Sequence, residues 1–117
     1  MRTARLETED GKVVCARCAL AASPWTRMRG LLGRSGLEAD EGMLFRPPGS
    51  IHLFFMRFAI DAIFINEQQQ VMRVGRRLRP WTIGPLAPGA LCCIELPAGR
   101  ADATQPGHVI ELTTSPA

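Results

Sequence analysis

Apolar and polar residues alternate along several short stretches of this chain, with the two-residue period of β-strands. Within residues 12–22, Val14, Ala16, Cys18 and Leu20 form one apolar face, which predicts a strand. Residues 42–46 predict another, closed by Pro47, Pro48 and Gly49. Residues 51–57 carry the strongest strand signal, with apolar side chains on both faces, as in a strand covered on two sides. The pattern resumes over residues 61–65 after a bend near Phe58 and Ala59. Residues 66–70 read as a polar turn, 71–78 as the returning strand, and 91–96 and 108–112 as the last two strands. Residues 7–11 read as an exposed turn, 80–89 as a Pro/Gly-rich loop carrying Trp81, and 101–104 as a helical turn. Residues 113–117 read as a frayed tail. One stretch has helical spacing. Ser23 and Pro24 form a start signal, Trp25, Met28, Leu31 and Leu32 share a face, and Gly33 is a stop signal, so a short helix is predicted near residues 24–33. Together these elements predict a mainly β single domain over residues 1–117, with its core at about residues 12–112.

Composition narrows the function classes. A chain of 117 residues with 46% hydrophobic content fits one domain with its own core and excludes wholesale disorder. The 14 Lys+Arg residues against 11 Asp+Glu give a net charge of +3, too small to indicate a nucleic-acid binder, and Lys12 is the sole lysine. The excess is local: the 27 residues 68–94 hold Arg73, Arg76, Arg77 and Arg79 and no acid. The first ten residues mix both charges with no apolar run, and no stretch approaches the ~18 apolar residues of a membrane span. A soluble, cytoplasmic protein with no membrane partner is therefore expected. Cys15, Cys18, Cys92 and Cys93 do not resemble a secreted disulfide scaffold, and reduced thiols are expected.

The run Ile51-His52-Leu53-Phe54-Phe55-Met56-Arg57-Phe58-Ala59-Ile60-Asp61-Ala62-Ile63-Phe64 resembles the domain of unknown function 192 family, a set of small prokaryotic proteins. Residues 27–34, Pro80-Trp81 and Glu95-Leu96-Pro97-Ala98-Gly99 are similar to three further family stretches. The chain departs from the family pattern at Ala59, where proline is usual, at Gln69, where a hairpin glycine is usual, and at His108, where aspartate is usual after glycine. The resemblance implies a compact, jelly-roll-like β-sandwich or barrel with one short helix. It implies no reaction, because the family has no established activity.

Polar residues inside apolar strands need partners or a wet pocket. His52, Arg57, Asp61 and Glu95 are such residues. One reading gathers His52, Phe55, Arg57, Asp61, Arg77 and Trp81 around a small ligand pocket under the 80–89 loop. The structural alternative has His52 capping a carbonyl and Asp61 pairing with Arg57 or tethering a turn. An enzymatic rival makes His52 the acid or base, with Asp61 or Glu95 as its partner. No nucleophile elbow supports hydrolysis, so binding is preferred to catalysis. In an unbroken strand Arg73, Arg77 and Arg79 share one face, which could dock an acidic protein or, less expectedly, nucleic acid. Cys15 and Cys18 have C-x-x-C spacing, the signature of a redox dithiol or half a zinc site. A regular strand would point these two thiols to opposite faces, which argues against either role. No cofactor is expected. The expected partner is a small polar or anionic ligand or an acidic protein, taken up by a monomer or weak dimer.

Overall fold

The computed structural model describes residues 3–20, 38–45, 50–52, 58–79, 83–86 and 89–115. These residues form β1 (Thr3–Thr8), β2 (Val13–Leu20), β3 (Glu41–Phe45), β4 (Ser50–His52), β5 (Ile60–Ile65), β6 (Val71–Leu78), β7 (Ile83–Leu86), β8 (Cys92–Pro97) and β9 (Ile110–Ser115). Seven strands make one sheet in the order β6-β5-β8-β3-β2-β1-β9, and β4 pairs with β7 in a second, two-stranded sheet. Neighbours are antiparallel except β2 and β3, which run parallel. The end strands of the large sheet meet. Gln70 bridges Val109, and the Val71 amide donates to the His108 carbonyl at 2.8 Å. The Ile110 amide returns a bond to the Gln69 carbonyl at 2.9 Å. The sheet thus curls back on itself: the domain is mainly β, as the alternation predicted, with the barrel-like form that the resemblance implied.

Curling gives the sheet an inside. Leu6 of β1, Val14 of β2, Ile63 of β5, Val71 of β6, Ile94 and Leu96 of β8, and Ile110 of β9 form one buried cluster, joined by Ala101 from the turns after β8. A second cluster lies on the other face of the central strands, built on Met43, Ile60, Ala62, Phe64 and Cys93. All six residues of β5 are buried, which explains why its sequence is apolar at nearly every position. Gly42 lets β3 pass closely between its neighbours. A Cβ there would stand 2.8 Å from Cys15 Sγ and 2.9 Å from the Glu95 carbonyl oxygen.

The structure differs from the sequence expectations at three places. β1 begins where no element was expected and runs into the stretch read as an exposed turn: Ala4 and Leu6 alternate with polar neighbours, and their two side chains are buried. β9 runs to Ser115, through residues expected to fray, because all six of its residues pair with β1. β7 forms inside the stretch read as a loop, paired to β4 at Ser50–Leu86 and His52–Ile83. The core therefore extends beyond residues 12–112 at its N-terminal side. The helix predicted near 24–33 falls outside the described residues, as do residues 53–57 of the predicted strand.

The β5–β6 turn shows how a missing glycine is accommodated. Asn66 Oδ1 accepts from the amides of Gln68 at 2.9 Å and Gln70 at 3.0 Å, and Gln69 closes the turn with φ +63°. A side chain in this left-handed region costs roughly 1–2 kcal/mol, which glycine avoids at an entropic cost of about 0.5–1 kcal/mol. Gln69→Gly is therefore expected to stabilise the domain by about 0.5–1 kcal/mol. Asn66→Ala is expected to destabilise it by about 1 kcal/mol. Urea denaturation of both variants checks the pair of opposite signs.

Candidate functional site

Asp61 is fully buried, and its carboxylate gathers three backbone amides. Oδ1 accepts from Arg77 N–H at 2.8 Å, and Oδ2 accepts from Gly99 at 3.0 Å and Ala101 at 2.9 Å. The arrangement depends on a β-bulge. Ile60 faces Leu78 while Ala62 faces Gly75, so three steps on β6 answer two on β5. Arg77 takes φ +50° at the extra position, which turns its amide toward Asp61. Beyond β8, residues 97–104 form successive turns, closed by Arg100 N–H to the Pro97 carbonyl, Asp102 N–H to Gly99 and Thr104 N–H to Ala101. Asp61 holds the amides on either side of Arg100. Arg76 donates to the Thr104 carbonyl, and Arg77 pairs with Asp102 at 2.9 Å.

These pinned turns form one wall of a cleft of about 400 Å³. The other wall is the β1–β2 turn, where Gly11 takes φ +86° and the Thr8 amide and hydroxyl both engage Lys12. Lys12, Arg100 and His108 line the cleft, with Glu9, Asp10 and Thr104. The Thr8 hydroxyl donates to Asp10 and holds that carboxyl below the usual carboxylate range. His108 Nδ1 accepts from the Gln105 amide at 3.3 Å, so the neutral ring carries its proton on Nε2. His108 thus serves as the turn's acceptor at the position where the family pattern has aspartate. The cleft presents ammonium and guanidinium donors beside two carboxylates, with Val13, Val14 and Val109 as apolar lining.

Of the pocket candidates, His52, Asp61 and Arg77 lie among the described residues. His52 sits opposite Ile83 at the end of β4, while Phe55, Arg57 and Trp81 lie outside the described residues. Asp61 pairs across the sheet with Leu96, and Glu95 with Ala62, so the two acids point to opposite faces. Glu95 is fully buried and itself engaged. The bulge also breaks the expected arginine face. Arg73 lies on the Phe64 side of the ladder, whereas Arg76 and Arg77 reach the turns at Thr104 and Asp102. Arg73 and Arg79 are engaged as well.

Cys15 and Cys18 correct another expectation. Ala4 pairs with Cys18 and Leu6 with Cys15, so β2 carries an extra residue between them, and both thiols turn into the same core. Sequence reasoning passed over Lys12, Arg100 and His108 as ligand residues. Their shared signal is that each follows a glycine of positive φ: Gly11, Gly99 and Gly107. The same dipeptide inside β6, Gly75-Arg76, shows why the pattern alone does not single out the cleft.

The family model of domain of unknown function 192, described as an uncharacterized ACR, matches residues 5–112. The chain belongs to this family. Across 98 residues it is 34% identical to a UPF0127 protein of Thermococcus sibiricus, covering 79% of this chain. The matched part spans 62% of that relative's length. Among solved structures, a protein of unknown function from Novosphingobium aromaticivorans is similar with a TM-score of 0.77 and 25% identity, over 93% of this chain and 83% of that one. A candidate transcription regulator of Sinorhizobium meliloti shares the fold with a TM-score of 0.78 at 23% identity, over 95% of this chain and 92% of that one.

Removing the Asp61 carboxylate strands buried amides, each costing about 1–3 kcal/mol. Asp61→Ala is therefore expected to destabilise the family domain by about 3 kcal/mol or more, and Asp61→Asn by less, since the amide keeps one oxygen. Thermal melts followed by circular dichroism measure the order wild type, Asn, Ala.

Proposed function

We propose that this domain is a binding module for a small polar molecule bearing an anionic group, held in the cleft between the β1–β2 turn and the turns at 97–109. The observation that carries this reading is that Lys12, Arg100 and His108 line one cleft whose walls are fastened by backbone hydrogen bonds. A carboxylate or phosphate would accept from Lys12 and Arg100, with His108 Nε2–H as a third donor. Asp10 and Glu9 would accept from hydroxyl or amino groups on the same molecule. Pre-ordered walls favour affinity, because little loop freedom is lost on binding.

Binding is preferred to catalysis because Asp61 spends both oxygens on backbone amides and faces away from Glu95. The small-ligand reading is preferred to docking of the β6 arginines on nucleic acid or an acidic protein, because Arg76 and Arg77 already serve the 102–104 turns. The test is a two-dimensional amide NMR titration with inorganic phosphate, ribose 5-phosphate and citrate. Shifts centred on residues 8–14 and 99–109 are expected for at least one probe. Affinity should fall about tenfold or more in Arg100→Ala, the cost of one charge-assisted hydrogen bond. Shifts confined to other surfaces, or affinity unchanged in both Arg100→Ala and Lys12→Ala, contradict the reading.

A further inference from the structure

Ionic groups line the cleft without pairing. Elsewhere on the described surface several bases meet acids: Arg5 pairs with Glu7 at 2.6 Å, Arg17 with Asp40 at 2.6 Å and Glu38 at 2.9 Å, and Arg77 with Asp102 at 2.9 Å. Glu9, Asp10, Lys12 and Arg100 line the cleft, yet among the described residues none of the four closes an ion pair. Two positive and two negative charges therefore face one space without cancelling in pairs, and with the His108 ring neutral their sum is zero.

The charges are also sorted by wall. The turns at 97–109 contribute Arg100 and the His108 ring and no acid, because Asp102 is turned to Arg77 instead. Both acids come from the β1–β2 turn, beside Lys12. That turn is closed by Thr8 N–H to the Lys12 carbonyl at 2.8 Å and by Gly11 N–H to the Thr8 carbonyl at 2.9 Å, which fixes where Glu9 and Asp10 stand. The Thr8 hydroxyl bond keeps Asp10 an anion at neutral pH. A ligand carrying only negative charge would meet cations on one wall and like charge on the other, and juxtaposed like charges oppose binding. A ligand with an anionic group at one end and an ammonium at the other complements both walls. Val13, Val14 and Val109 offer apolar contact to a short carbon chain between the two ends.

We propose that the cleft selects small zwitterions, with a phosphate or carboxylate toward Arg100 and His108 and a primary ammonium toward Glu9 and Asp10. This rests on the cleft being a ligand site, and it names the chemistry of the ligand's second end. A hydroxyl in place of the ammonium would still hydrogen-bond to the acids but would lose the charge-assisted part of the interaction, so charge rather than shape makes the distinction.

The experiment compares near-isosteric pairs by amide NMR titration of the full chain at low ionic strength: O-phosphoethanolamine against 2-hydroxyethyl phosphate, and β-alanine against 3-hydroxypropionate. Within at least one pair the amine should bind about fivefold or more tightly, the range of two exposed ion pairs. This ratio is read on the wild-type chain and needs no variant to fold. Added salt should shrink it. The Glu9→Gln/Asp10→Asn double variant should bring it to about one, whereas Arg100→Ala should weaken both members of the pair. A preference confined to the phosphate pair, or to the carboxylate pair, identifies which anion the Arg100 wall accepts. A ratio of about one in both pairs overturns the proposal and leaves the broader anion reading standing. A ratio that survives the double variant overturns it too. If neither amine binds, selection of zwitterions is likewise excluded, and the broader reading is decided separately by phosphate, ribose 5-phosphate and citrate.

Discussion

One buried carboxylate organises the end of this barrel. Asp61 accepts from three amides that belong to two different parts of the chain, Arg77 on β6 and Gly99 and Ala101 after β8. A carboxylate removed from water must have its oxygens satisfied, and backbone amides do so with fixed geometry. The three donors are consequently as constrained as the strand that carries the acid, and β5 is the most deeply buried strand described. From this anchor follow the path of the 97–104 turns, the insertion of Ala101 into the barrel core, and the placement of Arg100 on the cleft wall. The wall of the cleft is thus set by a residue that does not itself line it.

Bulges are the second organising device. A regular antiparallel ladder sends neighbouring side chains to opposite faces. The extra residue in β6 turns the Arg77 amide inward and splits the arginines between two faces. The extra residue in β2 sends Cys15 and Cys18 into one core. In both strands a one-residue insertion re-aims chemistry without changing which strands pair. The parallel β2–β3 pairing sets Gly42 opposite Cys18, and its missing side chain leaves room for the Cys15 sulfur.

This explains how much was legible in the sequence. β6 and the turn before it were readable because alternation and the polar run at 66–70 are local signals, and β5 was readable from its apolar run. β1 escaped because only Ala4 and Leu6 alternate among charged and polar neighbours, and its burial comes from pairing with β2 and β9. β7 escaped because Gly84 and Pro85 inside Ile83–Leu86 imitate a loop. Asp61 was legible as a polar residue needing a partner, but its partners are 16, 38 and 40 residues away and lie on the backbone. A period-two count cannot register a bulge, so the faces of Arg77 and of the Cys15–Cys18 pair were misjudged for one shared reason. The cleft cations were hidden differently: Lys12, Arg100 and His108 come from three separate turns that only the curled sheet brings together.

The anchoring role of Asp61 is tested most directly by native-state amide hydrogen exchange. Amides in mobile surface turns exchange through local opening, whereas amides tied to the core exchange only on global unfolding. If Asp61 fastens this end of the barrel, the amides of Arg77, Gly99 and Ala101 exchange with the same opening free energy as those of Ile63 and Ile94 in the central strands. Exchange of Gly99 and Ala101 through low-energy local opening, with the central strands still protected, contradicts the anchor.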